Sequence, residues 1–133
     1  MKKLFFISLV AVTLLGCEKD KNAKDFKGTY IGTFRTKEDG KMVMTATELT
    51  LLNGNFEVIK GLKPGSGSFK LEDKRTVTFS DKNVWTADFD WNLILNGTYT
   101  YQALADSLIL TRVLSSATPA DNNYYQYRLK QVN

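Results

Sequence analysis

The 133-residue chain carries 18 basic and 14 acidic residues, no histidine and a single cysteine, Cys17. Without imidazole, and with one thiol, the chain has no means for Ser-His-Asp or Cys-His catalysis, for imidazole base chemistry at neutral pH, or for the usual zinc and copper sites. No catalytic residue, metal ion or cofactor is therefore assigned, and the chain is not expected to be an enzyme.

At the N-terminus, Lys2 and Lys3 precede a 12-residue apolar stretch from Leu4 to Leu15, which ends at Gly16-Cys17. A transmembrane helix needs about 20 predominantly apolar residues, and Glu18, Lys19 and Asp20 follow Cys17 at once. The stretch is too short for a permanent span and has the grammar of a cleaved signal peptide over residues 1–16. Leu14-Leu15-Gly16-Cys17 resembles the lipobox of bacterial lipoproteins. The resemblance implies that the Cys17 thiol receives diacylglycerol before cleavage and that acyl chains, palmitate among them, hold the mature protein on a membrane. Each buried methylene adds about 0.8 kcal/mol, so two or three chains form a lasting anchor. A lone exported cysteine has no disulfide partner within the chain, which fits its use as the lipid attachment point.

Removing the first 16 residues leaves 117, one domain's worth of chain, with 16 basic against 14 acidic residues and a balance of +2. So small a surplus, with no cluster of Lys or Arg interleaved with aromatics, gives no support to nucleic-acid binding. The polar run EKDKNAKD completes a tether over residues 17–25, long enough to carry a domain about 15 Å from its lipid. It resembles the surface-export tract of lipoproteins in some Gram-negative lineages. It reads equally as a solvated spacer. The expected location is membrane-anchored, at the outer membrane, on its periplasmic or cell-surface face.

Residues 26–133 read as a succession of short strands with a period of two. In KGTYIGTFRT, Tyr30 and Phe34 share a face with Gly32. The run Met42 to Leu52 stops at Asn53-Gly54, a dipeptide that tolerates the positive φ of a type I′ hairpin, and so predicts pairing with Asn55 to Lys60. GLKPGSGS is punctuation by its Pro and Gly content. SFKLE and RTVTFS flank a turn at Asp73-Lys74, setting Phe69 and Leu71 opposite Val77 and Phe79. Residues 81–87 read as a loop or irregular edge carrying Trp85.

DFDWNLIL alternates Phe89, Trp91, Leu93 and Leu95 against Asp88, Asp90 and Asn92, which predicts a half-buried strand. Asn96-Gly97 is a second hairpin signal, followed by TYTYQA with Tyr99 and Tyr101 on one face. A turn at Ala105-Asp106 leads to SLILTRV, where Leu108, Leu110 and Arg112 share a face. Beyond a loop through Ala117, Pro119 and Asp121, the closing strand points Tyr125, Tyr127 and Leu129 inward. Eight or nine strands joined by tight turns, with no amphipathic helix, predict an all-β fold. A meander leaves exposed edges unless it closes, so the expected form is a single antiparallel up-and-down β-barrel of about eight strands.

The patterns GTYIGTF, ELTLLNGNF, GSGSFKLEDKRTVTFS, LNGTYTY with SLILTRV, and YYQYRL resemble small bacterial lipoproteins with a lipocalin-like, calycin-type domain, over Phe26 to Val132. Tyr30 stands where the lipocalin Gly-x-Trp motif has tryptophan. The resemblance implies an eight-stranded barrel able to hold a hydrophobic small molecule.

Two functional readings remain open. In the first, a lipid-anchored envelope module binds a hydrophobic or amphipathic ligand inside the barrel, with Tyr30, Phe34, Trp91, Tyr101, Arg112 and Tyr127 as the candidate lining. An inward arginine needs a partner, and Arg112 could hold a carboxylate or phosphate; at a strand end it could equally reach the rim. This reading predicts a cavity of about 300 Å³ or more beside Arg112. In the second, the barrel is solid and loops over residues 82–86 and 115–123 engage an envelope protein or polymer, which predicts an exposed aromatic patch near Trp85 or Tyr124. An enzyme would need converging carboxylates. Asp88 and Asp90, roughly 7 Å apart on one strand face, are the one such pair considered, and outward acidic residues on a half-buried strand are ordinary.

Overall fold

The computed structural model describes residues 26–86, 88–114 and 124–132. The signal segment, Cys17, the tether and the loop through Ala117, Pro119 and Asp121 lie outside the described residues. Eight antiparallel strands follow in chain order: β1 Gly28–Glu38, β2 Lys41–Leu52, β3 Asn55–Lys60, β4 Gly65–Leu71, β5 Thr76–Asp81, β6 Gly97–Leu104, β7 Ser107–Arg112 and β8 Tyr124–Val132. Each pairs with its sequence neighbour, and β8 returns to β1 to close an up-and-down barrel. Closure removes the two free edges that an eight-strand meander would otherwise expose.

Turn chemistry sets the registers. Asn53 and Gly54 both have positive φ, 50° and 76°, as a type I′ turn requires, and they place Leu52 opposite Asn55 and Leu51 opposite Phe56. Pairing of β2 with β3 is shorter than the alternation predicts, covering Glu48–Leu52 alone, with a register shift at Glu48/Leu49. Asp39 and Gly40 make a matching turn at the other end of β2. Phe69 faces Phe79 and Leu71 faces Val77, as their alternation requires.

Three sequence expectations are corrected. GSGS belongs to β4 rather than to a loop. A Cβ on Gly67 would lie 2.0 Å from the Ser80 carbonyl oxygen, so glycine is there because β4 and β5 approach too closely for a side chain. Phe89 to Leu95 is not a strand. It forms a connection with a single 3-10 turn, Trp91–Leu93, which Asp90 caps by accepting a hydrogen bond from the Asn92 amide. Side-chain capping of this kind competes with sheet pairing, and β6 pairs directly with β5, leaving no place between them for a further strand. For the same reason Asn96-Gly97 joins no hairpin; Gly97 simply opens β6.

The inward row of every strand lines the barrel interior, and it includes Tyr30, Phe34, Leu49, Leu51, Phe56, Val58, Phe69, Val77, Phe79, Tyr99, Tyr101, Leu108, Leu110, Tyr125, Tyr127 and Leu129. Phe26, just ahead of β1, is buried with them. It lies 5.1 Å edge-on from Tyr101 and 6.3 Å from Phe69, so it plugs the end at which the chain enters. At the opposite end the connection over residues 82–96 folds back and adds Leu95 to the core, with Leu93 packed against it.

Candidate functional site

Five of the six candidate residues sit as their parity requires, and one does not. Tyr30, Phe34, Tyr101 and Tyr127 are buried, and Arg112 is partly buried at the end of β7. Trp91 is the exception. The strand that would have turned it inward does not form, and its side chain is 53% exposed on the β5–β6 connection.

Within the barrel the rings touch in a continuous series. Phe34 stacks on Tyr127 at 4.4 Å, Tyr127 lies 6.2 Å from Tyr99, and Tyr99 meets Phe79 edge-on at 5.6 Å. Phe79 in turn contacts Phe56 at 5.4 Å and Phe69 at 5.9 Å, and Phe69 reaches Phe26. Eight-stranded barrels are either filled by their own side chains or hold one small ligand, and these rings run through the interior from one end to the other. Tyr101 does not join Arg112. It belongs to the entry end with Phe26, where its hydroxyl donates to the Asp73 carbonyl at 3.2 Å.

Arg112 has the inward parity of Leu108 and Leu110 and reaches the rim. Its guanidinium donates to the Tyr99 hydroxyl at 3.0 Å, to the Ile94 carbonyl at 3.5 Å and to the Asn96 carbonyl, and it lies over the Tyr99 ring at 5.5 Å. All three hydrogen bonds are made by Nη1, two of them to the backbone of the β5–β6 connection. Burial raises the phenol of Tyr99, against the opposing pull of Arg112, and burial raises that of Tyr127 well above its ordinary value. Both hydroxyls are protonated donors across the physiological range.

The connection itself displays an aromatic cluster that alternation did not foresee. Phe89 stacks on Trp91 at 5.1 Å and 21°, and Trp85 meets Phe89 edge-on at 5.8 Å. The Lys63 ammonium sits 4.0 Å from the centre of the Phe89 ring, a distance at which a cation is attracted by the ring face. Asp81 organises the segment, accepting from the Trp85 indole N–H and from the Asn83 side chain while its own amide donates to Asn96. Asn83 also donates to the Ser66 carbonyl at 3.0 Å, tying the connection to β4. Val84 beside it is 90% exposed. Asp88 and Asp90 share no strand face. Asp90 caps the 3-10 turn and accepts from the Tyr125 hydroxyl, so its carboxylate has a structural role.

An open groove of about 420 Å³ lies on the barrel wall, lined by Thr50, Leu52, Asn53, Asn55, Phe56, Glu57, Ser66, Gly67 and Lys82. It shares no residue with the candidate set. Of the loops expected to make contacts, residues 82–86 carry part of the aromatic cluster, whereas residues 115–123 lie outside the described residues. Compared with protein-family models, with curated proteins and with solved structures, the chain matches none.

Proposed function

We propose that this protein is a lipid-anchored module of the cell envelope, attached through Cys17, that engages an envelope protein or polymer through the connection between β5 and β6. The observation that carries the reading is the Trp85–Phe89–Trp91 cluster held on an exposed, internally hydrogen-bonded segment. Large rigid aromatic side chains supply contact area at low entropic cost and are enriched where proteins bind partners. Two further features support it: the rings stacked through the barrel interior, and the use of Arg112 to hold the connection in place. The resemblance of Leu14-Leu15-Gly16-Cys17 to a lipobox supports the anchoring part of this reading, with the outer membrane as the site of attachment.

Residues 18–133 contain the whole barrel and are suited to a soluble test free of lipid and detergent. Titration with an environment-sensitive apolar dye leaves the dye free, whereas isolated envelope fractions co-sediment the protein and Trp91→Ala weakens that association. Saturable dye binding that fatty acids displace and Arg112→Leu weakens would overturn the proposal in favour of an internal ligand carrier. Anchoring is tested separately in the full chain, where labelled palmitate is incorporated and Cys17→Ala abolishes the label.

A further inference from the structure

The end at which the chain enters the barrel, plugged by Phe26, is ringed by the β2–β3, β4–β5 and β6–β7 turns and by the last residues of β8, as the up-and-down order dictates. Each turn is tied to the wall: the Gly54, Arg75 and Asp106 carbonyls accept from the amides of Phe69, Tyr101 and Gln131, each at 2.7 Å. From this rim Leu52 and Leu104 stand 54% and 76% exposed, with Val132 at 38%. They end β2, β6 and β8, so the order β6-β7-β8-β1-β2 sets all three on one arc of the rim. The acidic side chains of the turns are engaged within the rim: Glu72 pairs with Lys70 at 3.7 Å, Asp106 pairs with Lys130 at 3.4 Å, and Asp73 accepts from the Arg75 amide at 2.7 Å. Lys27, Lys74 and Arg75 are exposed. The rim thus presents apolar points among cations.

We propose that this rim rests on the membrane that carries the Cys17 acyl chains, with Leu52, Leu104 and Val132 among the lipids and Lys27, Lys74 and Arg75 against anionic headgroups. The inference rests on the acylation of Cys17 proposed above, and adds to it the face of the domain that meets lipid. The length of chain ahead of the barrel decides between its two ends. Phe26, nine residues after Cys17, is buried in the entry end. Nine residues span at most about 30 Å fully extended, and about 15–18 Å root-mean-square as a linker. β1 has 11 residues and rises about 36 Å, which at a tilt of about 40° is about 28 Å along the barrel axis. The far end therefore meets lipid only with those nine residues drawn out along the whole wall, whereas the entry end meets it with length to spare. An anchored chain has already given up the translational freedom that association costs, and its effective concentration at the surface is high, so a few side chains hold the rim down. The Trp85–Phe89–Trp91 cluster, at the opposite end, is thereby turned away from the anchoring membrane and towards its partner.

The test uses the full chain, purified from membranes and reconstituted in vesicles of phosphatidylethanolamine and phosphatidylglycerol. With Cys17 acylated, a cysteine introduced elsewhere is the sole free thiol, and an environment-sensitive fluorophore is attached at Leu104→Cys or, at the opposite end, at Val84→Cys, which is 90% exposed. The label at position 104 shifts to the blue and loses most of its emission to lipids brominated along their acyl chains, while the label at position 84 keeps the emission it has in water. Leu52→Glu, placed in the Leu104→Cys protein, lowers the quenching although the acyl chains remain. Two labels quenched alike, or position 84 quenched more than position 104, overturn the proposal. So does quenching at position 104 that Leu52→Glu leaves unchanged, which would mark the affinity of the label itself for lipid. Mass spectrometry of the N-terminal peptide separates the two readings: without acyl mass, anchoring and docking fail together, whereas an acylated protein with equally water-exposed labels overturns docking alone.

Discussion

The Arg112 guanidinium donates to the Tyr99 hydroxyl at 3.0 Å, and that hydroxyl in turn lies 3.4 Å from the Ile94 carbonyl to which it donates. A cation, a phenol and two carbonyls of the β5–β6 connection form one network at the rim. Removing the cation takes a donor from the Asn96 carbonyl and the Tyr99 hydroxyl oxygen, while the Ile94 carbonyl keeps the Tyr99 hydroxyl and the Asn96 amide; the loss costs about 1–3 kcal/mol. Arg112→Leu is expected to lower stability by that amount in urea denaturation and to raise the mobility of the tryptophans. Because the two side chains act on the same carbonyl, Arg112→Leu and Tyr99→Phe should be non-additive in a double-mutant cycle.

Alkaline pH tests the buried phenols. The folded-state values of Tyr99 and Tyr127 lie above the ordinary 10.0, so above that pH the unfolded chain releases protons that the folded chain retains. Stability is then fully present below about pH 10 and is lost as pH rises through the folded-state values. The urea midpoint is expected to fall across this range, and Tyr127→Phe to make the fall shallower. An unchanged slope in Tyr127→Phe would show that this hydroxyl does not carry the effect.

Phe26 packs on Tyr101 and Phe69 where the chain enters the barrel. Truncation of a buried phenylalanine costs about 3–5 kcal/mol, and Phe26→Ala is expected at the lower end because water can fill the vacated end. Calorimetry measures the loss. Increased hydrogen exchange should concentrate near Phe69 and Tyr101.

Gly67 has no space for a methyl group, since the Ser80 carbonyl would lie 2.0 Å from it and the Phe56 ring 2.9 Å. Gly67→Ala must therefore spread β4 from β5, and overpacking of this kind costs about 1–3 kcal/mol. Exposed Ser68, its neighbour on the same strand, supplies the control: Ser68→Ala should stay within about 0.5 kcal/mol.

Trp91 separates the two readings of its segment. As a core residue its truncation would cost about 3–5 kcal/mol, whereas a half-exposed ring stacked on Phe89 contributes about 1 kcal/mol or less. Trp91→Ala is expected to show the smaller value by urea denaturation. Iodide should quench the fluorescence of Trp91 more readily than that of half-buried Trp85.

The barrel was legible because its turns and its alternation agree. Asn53-Gly54 is marked by residues that accept positive φ, and the inward rows from Tyr30 to Leu129 keep a strict period of two. Asp39-Gly40 carries the same signal. Alternation failed at Phe89 to Leu95 because a period of two says nothing about whether a neighbouring strand is available, and Asp90 there caps a turn instead. The rim cluster was legible only in part. Trp85 stood out as a loop tryptophan, but its contact with Phe89 and the approach of Lys63 depend on a fold-back that local pattern does not encode. The inward parity of Arg112 was readable, whereas its partners, carbonyls of Ile94 and Asn96, carry no side-chain signature.

The return of β8 to β1 also governs how the domain comes into being. Thr29 pairs with Val132, and the Gln131 side chain donates to the Lys27 carbonyl across 104 positions of sequence. Hairpins such as β2–β3 and β6–β7 are local and form in about 1–10 μs, but the seam between β1 and β8 requires the chain to extend through Val132 and must meet the entropy of its longest loop. Contacts of such separation slow folding into the millisecond-to-second range. Until the seam closes, β1 and β8 are each open on one side, so the interval before closure is when the nascent domain is most exposed to pairing with the wrong chain.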